Sequence, residues 1–356
     1  MKNGLLFDLE NESVWTHLKN TTEPIIVFGT GNGADKVFRA FSRYSVTVSG
    51  VAASNGFVRD RYFHGFKVEP LSHFEELYES FTVAVAFGSS LKSVMDLIKE
   101  IGEKHALFVP CVPVVGEEIF DNKFVEKNGE KLNRAYSLLS DGASRHVFES
   151  YVNFSYSGRL SYLFSCESEE SEAFFNCIHL KNDEIYADIG AYRGDTVERF
   201  LKYTGGEYQY IIAAEPDKKS FSKLIKNCGG LERFYAKNAV VTSRDGEIPF
   251  SQSGGRQSFA GCGELMCGVT LETLMDGKKP SYIKIDAEGE EMNILNGSKD
   301  FLARCKPKMN IAAYHKNSDI FDIPILLKEI CPEYKIYLRH FPYIPAWDTL
   351  YFCETE

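Results

Sequence analysis

"IYADIGAYRGDTVERF" (residues 185–200) decides the fold of this 356-residue chain. An apolar run ends in Asp188, a turn follows with Gly190 and Gly194, and Asp195 and Thr196 open a helix. Strand, glycine turn and helix in that order make a ligand cradle. Glycines let the backbone pass close to a bound group, and the helix N-terminus behind them favours negative charge. The nicotinamide fingerprint, G-x-G-x-x-G, is absent: these glycines stand four apart and an acid precedes the first. Asp195 sits where a pyrophosphate would lie and would repel it. The rim suits a ligand that carries an ammonium and a sulfonium but no phosphate.

Glu215 ends the next strand-like run, "QYIIAAE" (209–215), 25 residues after Gly190. A carboxylate at the carboxyl end of the neighbouring strand can accept both hydroxyls of a ribose. Pro216 stops the strand, and Asp217 can cap the helix behind it. Asp188, Gly190, Gly194 and Glu215 together describe a site for S-adenosyl-L-methionine.

Around this centre the chain alternates strands and helices, which implies parallel sheets with crossover helices. Residues 1–125 carry strand-like runs at 24–29, 46–54, 82–88 and 105–110, the pattern of a small Rossmann-like α/β domain. Residues 126–180 have apolar positions at helical spacing and form a helical connector. Residues 181–356 carry runs at 184–190, 209–215, 233–241, 281–286 and 308–315. Two last strands, 334–340 and 348–353, have no helix between them and are expected as an antiparallel pair at the sheet edge. The expected architecture is a seven-stranded, doubly wound sheet.

Residues 130–356 resemble the FkbM family of S-adenosylmethionine-dependent methyltransferases. The likeness rests on "DIGAYRGDT", "AAEPD", "NAVVTSRDGEIPF", "IKIDAEGEEMNILNGS" and "YHKNSDIFDIPILLKEICPEYKIYLRH". It implies the class I methyltransferase fold, O-methylation of sugars or natural products, and cofactor contacts that include Asn238 and Ala239. The full expected cofactor set is Asp188, Gly190, Ala191, Gly194, Asp195, Thr196, Glu215, Pro216, Asp217, Asn238, Ala239 and Asp286. Where this chain has Tyr192 and Arg193, the family usually has Asn or Asp.

Methyl transfer to an alcohol needs in-line geometry, exclusion of water and a group that takes the hydroxyl proton. His315, in "AAYHKN", ends a strand at the edge where ligands of such sheets bind and titrates near neutrality in its ordinary state, so it is the expected base. Asp286, in "IKIDAEGEE", can orient the cofactor, bind the acceptor hydroxyl or act as base. Glu288 is expected to cap the helix that follows. Tyr314 and Lys316 are pocket-lining at most, and His340 is expected in a loop interaction. Arg256 and Gln257, in a Gly/Ser-rich insert at 250–271, can touch a polar acceptor. No clustered ligand spacing is visible, so no metal is expected.

The N-terminal turn Gly29-Thr30-Gly31-Asn32-Gly33 is a weaker fingerprint, because the next strand offers no acid for a ribose. Two readings stay open: a nucleotide-sugar pocket, or a degenerate region serving dimerisation or acceptor recognition. Other readings of the whole chain are an NAD-dependent oxidoreductase or epimerase and a silent S-adenosylmethionine binder. A net charge of −10 with interspersed basic residues argues against nucleic acid. Nine scattered cysteines without a C-x-x-C pair argue for a reducing compartment, expected to be the cytoplasm. The expected partner is a small-molecule or sugar acceptor, with no membrane and with a homodimer left open.

Overall fold

The structure, a computed structural model, describes residues 4–58, 60–251, 259–260 and 264–355. Among them no helix is long and apolar enough to cross a membrane, and every cysteine is unpaired.

The C-terminal half is built on a seven-stranded sheet. Its order is Lys335–His340, Thr349–Glu354, Lys308–Ala312, Tyr282–Ile285, Ile185–Ile189, Tyr210–Ala214 and Phe234–Lys237. All neighbours are parallel except the two pairs made by Thr349–Glu354. The central runs are apolar and buried on both faces, as parallel strands covered by helices must be. The terminal pair is antiparallel and lies at the sheet edge, with Lys335–His340 outermost and Thr349–Glu354 next to it. The last strand inserts between Lys335–His340 and Lys308–Ala312.

One expected strand splits. Phe234–Lys237 joins the main sheet, whereas Val240–Val241 pairs with Glu264–Val269 in a separate four-stranded sheet. Asn238 makes the break: its side-chain amide donates to the carbonyls of Glu215 and Pro216 at 2.8 and 2.9 Å. The 250–271 insert contributes to this smaller sheet, in which Gly246–Ser251 runs antiparallel to Glu264–Val269. Arg256 and Gln257 lie outside the described residues.

The N-terminal sheet runs in the order Tyr62–Phe63, Phe66–Pro70, Gly50–Ala53, Ile25–Phe28, Thr82–Val85 and Ala106–Phe108. It is parallel apart from the first pair. Tyr62–Phe63 and Phe66–Pro70 carry too little apolar alternation to read as strands. His64 and Gly65, both at positive φ, turn one into the other.

Helices Asn122–Ser137, Gly142–Ser157, Leu160–Ser165 and Glu170–Asn176 occupy the connector. Asp121 and Asp141 cap the first two by accepting from the N–H of Phe124 and Ser144. Gly142–Ser157 is buried almost all round, as a central helix is. Its Phe148 and Phe154 share one apolar cluster with Phe28 and Val85 of the N-terminal sheet and Ile283 and Ile311 of the C-terminal sheet. The two sheets therefore share a continuous core, and this sets their glycine turns against each other.

Candidate functional site

The carboxyl end of Ile185–Ile189 feeds the turn, and the turn needs its glycines. Gly190 has φ +77°, and a Cβ there would lie 1.8 Å from the Asp286 carbonyl oxygen. Gly194, at φ +91°, packs on Cys228 and caps the helix Asp195–Tyr203. Tyr192 also has positive φ, +47°, and the Arg193 guanidinium lies 4.6 Å from its ring centroid.

Asp188 stands underneath this turn and is fully buried. Its Oδ2 accepts from Thr196 Oγ1 at 2.5 Å, and its Oδ1 lies 3.6 Å from Lys284 Nζ. Burial pushes its carboxyl above the usual range against the pull of Lys284 and Thr196. Lys284 is almost buried too. Burial alone would lower its ammonium, but Asp286 and Asp188 outweigh this and raise it. Its Nζ donates to the Gly190 carbonyl at 2.8 Å, which fixes the turn from below.

Glu215 is 6% exposed at its strand end. Oε2 accepts the Tyr192 N–H and Oε1 the Asp217 N–H, each at 2.8 Å. Each oxygen keeps a second lone pair, the requirement for receiving a diol. Burial raises this carboxyl to about 7 in spite of those two N–H donors. Asp217 caps Lys218–Cys228 by accepting from the Ser220 N–H.

A cavity of about 760 Å³ lies over these groups. Of the expected cofactor residues, Gly190, Asp195, Thr196, Glu215, Pro216, Asp217, Ala239 and Asp286 line it. Asp188, Ala191, Gly194 and Asn238 do not. Asp188 and Ala191 are sealed beneath the turn, Gly194 is spent on the Cys228 contact, and Asn238 is spent on two carbonyls. These four shape the site without facing it.

The opposite wall holds His315, which is 1% exposed among three carboxylates. Its Nε2 lies 3.6 Å from Asp286 Oδ1 and 3.5 Å from Glu288 Oε2, and its Nδ1 lies 3.0 Å from Glu291 Oε1. Burial pulls the imidazole down, but Glu291, Glu288 and Asp286 outweigh it and hold the pKa well above the ordinary value. The three carboxylates thus favour the imidazolium form of His315 and stand beside it as alternative proton acceptors. Glu288 does not cap a helix. The helix is Glu291–Gly297, its N-cap is Glu290, and Glu288 takes φ +50° to face His315. Burial raises its carboxyl above the usual range. Tyr314 donates to Asp286 Oδ1 at 3.2 Å and lines the cavity, whereas Lys316 Nζ donates to the Gly289 carbonyl. His340 is buried beside Thr349 Oγ1, away from the cavity, and burial lowers it to about 3.

The N-terminal half supplies the remaining wall. Asn32, Gly33, Lys36 and Arg39 reach the cavity from the helix Asn32–Tyr44. The 341–347 loop adds Tyr343 and Trp347 and pairs with Ser89, beyond the end of the strand Thr82–Val85, through two backbone bonds to Ile344. Gly88 admits that loop, since a Cβ there would meet the Trp347 ring at 2.7 Å. Lys284, Lys36 and Arg39 are cavity residues that sequence reasoning missed. Lys284, inside the apolar run "SYIKID", was the one with a visible signal.

Residues 188–335 match the family model for the methyltransferase FkbM domain. The chain is similar in structure to methyltransferase FkbM from Methylobacillus flagellatus KT, at 19% identity and a TM-score of 0.73, covering 95% of this chain and 92% of that one. This likeness is one of overall fold. Fibrillarin from Aeropyrum pernix, in complex with S-adenosyl-L-methionine, matches with 12% identity and a TM-score of 0.34 over 52% of this chain and 73% of that one. A precorrin-6y C5,15-methyltransferase from Geobacter metallireducens GS-15 matches at 12% and 0.33, over 51% and 84%. No curated protein matches the chain.

Proposed function

We propose that this chain, whose residues 188–335 match the FkbM methyltransferase domain model, methylates a hydroxyl of a sugar or related small metabolite using S-adenosyl-L-methionine. The observation that carries this is that two walls share one cavity. An acid-rimmed glycine turn and Glu215 face it from one side, and the Asp286–Glu288–His315 cluster faces it from the other.

The residues present fit that cofactor. Glu215 offers one free lone pair per oxygen at a strand end, and Asp195 opens the helix where a diphosphate would need a donor. The nearest buried cation, Lys284, is committed to the Gly190 carbonyl. Glu215 would hold the ribose, while Asp195 and Thr196 would lie against the amino-acid portion. When bound, the cofactor supplies an electrophilic methyl group on a sulfonium.

The chain's own work is on the acceptor. Asp286 orients the acceptor hydroxyl, held in turn by Tyr314. Glu288, its carboxyl raised above the usual range by burial, takes the hydroxyl proton at a carboxylate oxygen. His315 keeps its own proton and compensates the charge of both carboxylates. Asn32, Lys36 and Trp347 close the acceptor side and exclude water. The cytoplasm fits the unpaired cysteines and a diffusible metabolite substrate.

Thermal shift of the purified chain against S-adenosylhomocysteine and NAD tests the cofactor, and transfer of labelled methyl to a panel of sugars tests the acceptor. Stabilisation by S-adenosylhomocysteine is expected. Stabilisation by NAD alone would overturn the assignment.

A further inference from the structure

The geometry points to a divalent cation site at Asp286, Glu291 and His315, with Glu288 as a third, cavity-facing carboxylate beside it. Sequence spacing hid it, because its members come from a strand end, a helix start and the next strand end. The fold brings one ligand atom of each of Asp286, Glu291 and His315 within 4.8 Å of the others.

Two independent features mark this group as a binding place. The first is Glu291, which has no exposed surface. Its Oε1 accepts the Ala287 N–H at 2.8 Å, while Oε2 is buried without any hydrogen-bond partner. A buried carboxylate oxygen left unsatisfied is costly, and a cation is the partner that satisfies it. The second feature is charge. Three carboxylates surround one imidazole, so the group stays anionic even when His315 is protonated.

The surrounding lysines give the group one ion pair, Lys284 with Asp286, and are otherwise committed to backbone carbonyls. Lys316 Nζ donates to the Gly289 carbonyl and Lys36 Nζ to the carbonyls of Pro113 and Val114. Lys284 donates to the Gly190 carbonyl and stands 3.8 Å from Asp286 Oδ2, beyond hydrogen-bond reach.

One imidazole nitrogen with carboxylate oxygens suits Mn²⁺, Zn²⁺ or Fe²⁺ better than a soft thiolate-seeking metal. Access is open, because Asp286, Glu288 and His315 all line the cavity. Resting on the transferase assignment above, the role of a cation there is to bind the acceptor hydroxyl and lower its pKa, so that Glu288 receives the proton more readily.

The test is an EPR-monitored titration of the metal-stripped full chain with Mn²⁺ at neutral pH. One saturable site is expected, weakened at least about tenfold in Asp286→Asn and in Glu291→Gln. Should the buried Glu291→Gln fail to fold, the cavity-facing Asp286→Asn decides. Absence of a saturable site, or Mn²⁺ affinity unchanged in Asp286→Asn, overturns the proposal. A chain that binds Mn²⁺ at these residues yet transfers no methyl keeps the site and breaks the transferase assignment. A chain that transfers methyl at full rate after chelation and shows no Mn²⁺ site does the reverse.

Discussion

The two glycine turns of this protein share one local plan and differ in everything around it. Each follows a buried strand, each opens a helix, and both line the same cavity. Around Gly190 stand Asp195, Glu215 and Asp217, with Lys284 committed underneath. Around Gly33 stand Asn32, Lys36 and Arg39, and no carboxylate ends the neighbouring strand. Glycines prepare a backbone for close approach, but the charges beside them decide what approaches. The acidic turn suits a cation, and the basic one suits the far end of an acceptor.

The largest expected effect comes from closing the acidic turn. Gly190→Ala would force a Cβ to 1.8 Å from the Asp286 carbonyl at a strained φ, so a loss above about 4 kcal/mol is expected in denaturant melts. By contrast Gly31→Ala, at the N-cap of the helix behind the other turn and in an extended conformation with nothing within 4 Å, should stay within about 0.5 kcal/mol. Equal losses would mean that both turns are merely structural.

Next in size is Glu215→Gln, which removes charge-assisted bonds worth about 1.5–3 kcal/mol and should weaken S-adenosylhomocysteine by about 10–100-fold in calorimetry. An unchanged affinity would remove Glu215 from the ribose.

The pH dependence follows from the same residue. With its carboxyl raised to about 7, Glu215 is ionised above that pH and protonated below it. Affinity should therefore fall by about tenfold between pH 8 and pH 6. The sign for the unbound fold is opposite: a raised carboxyl costs stability as pH climbs from the unfolded value toward 7. A flat affinity profile with a sloping stability profile would place Glu215 off the ligand.

The smallest effect is expected from the basic side. Lys36→Met should leave S-adenosylhomocysteine affinity within about twofold while raising the KM of an acceptor several-fold, since the ammonium lines only the far wall. The opposite pattern would make the N-terminal turn part of the cofactor site.

What could be read in the sequence was the part written in local chemistry. Alternation of apolar runs showed the seven-stranded sheet, and the acids near Gly190 marked one wall of the cavity. Asp217 was legible as a cap because its role depends on Ser220, three residues on. The illegible part depended on distance along the chain. His315 looked like a base because its ordinary pKa suits one, but Glu288 and Glu291, from the loop and helix start after the neighbouring strand, favour its protonated form. Asp188 looked like a ligand contact, and only the close passage of Lys284 and Thr196 shows it as a buried support. The cavity wall from Lys36 and Arg39 follows from how two sheets share one core, which no local pattern encodes.

Lys284 gives the two sides of the site a common mechanical element. One ammonium holds the Gly190 carbonyl, stands beside Asp188 under the donor turn, and stands beside Asp286 on the acceptor wall. Loading one side shifts the field that the other side feels, so donor and acceptor affinities should be linked. Linkage is reciprocal: whatever factor the donor imposes on acceptor binding, the acceptor returns. In Lys284→Met that factor should shrink toward one, and the two binding events would become strangers sharing a room.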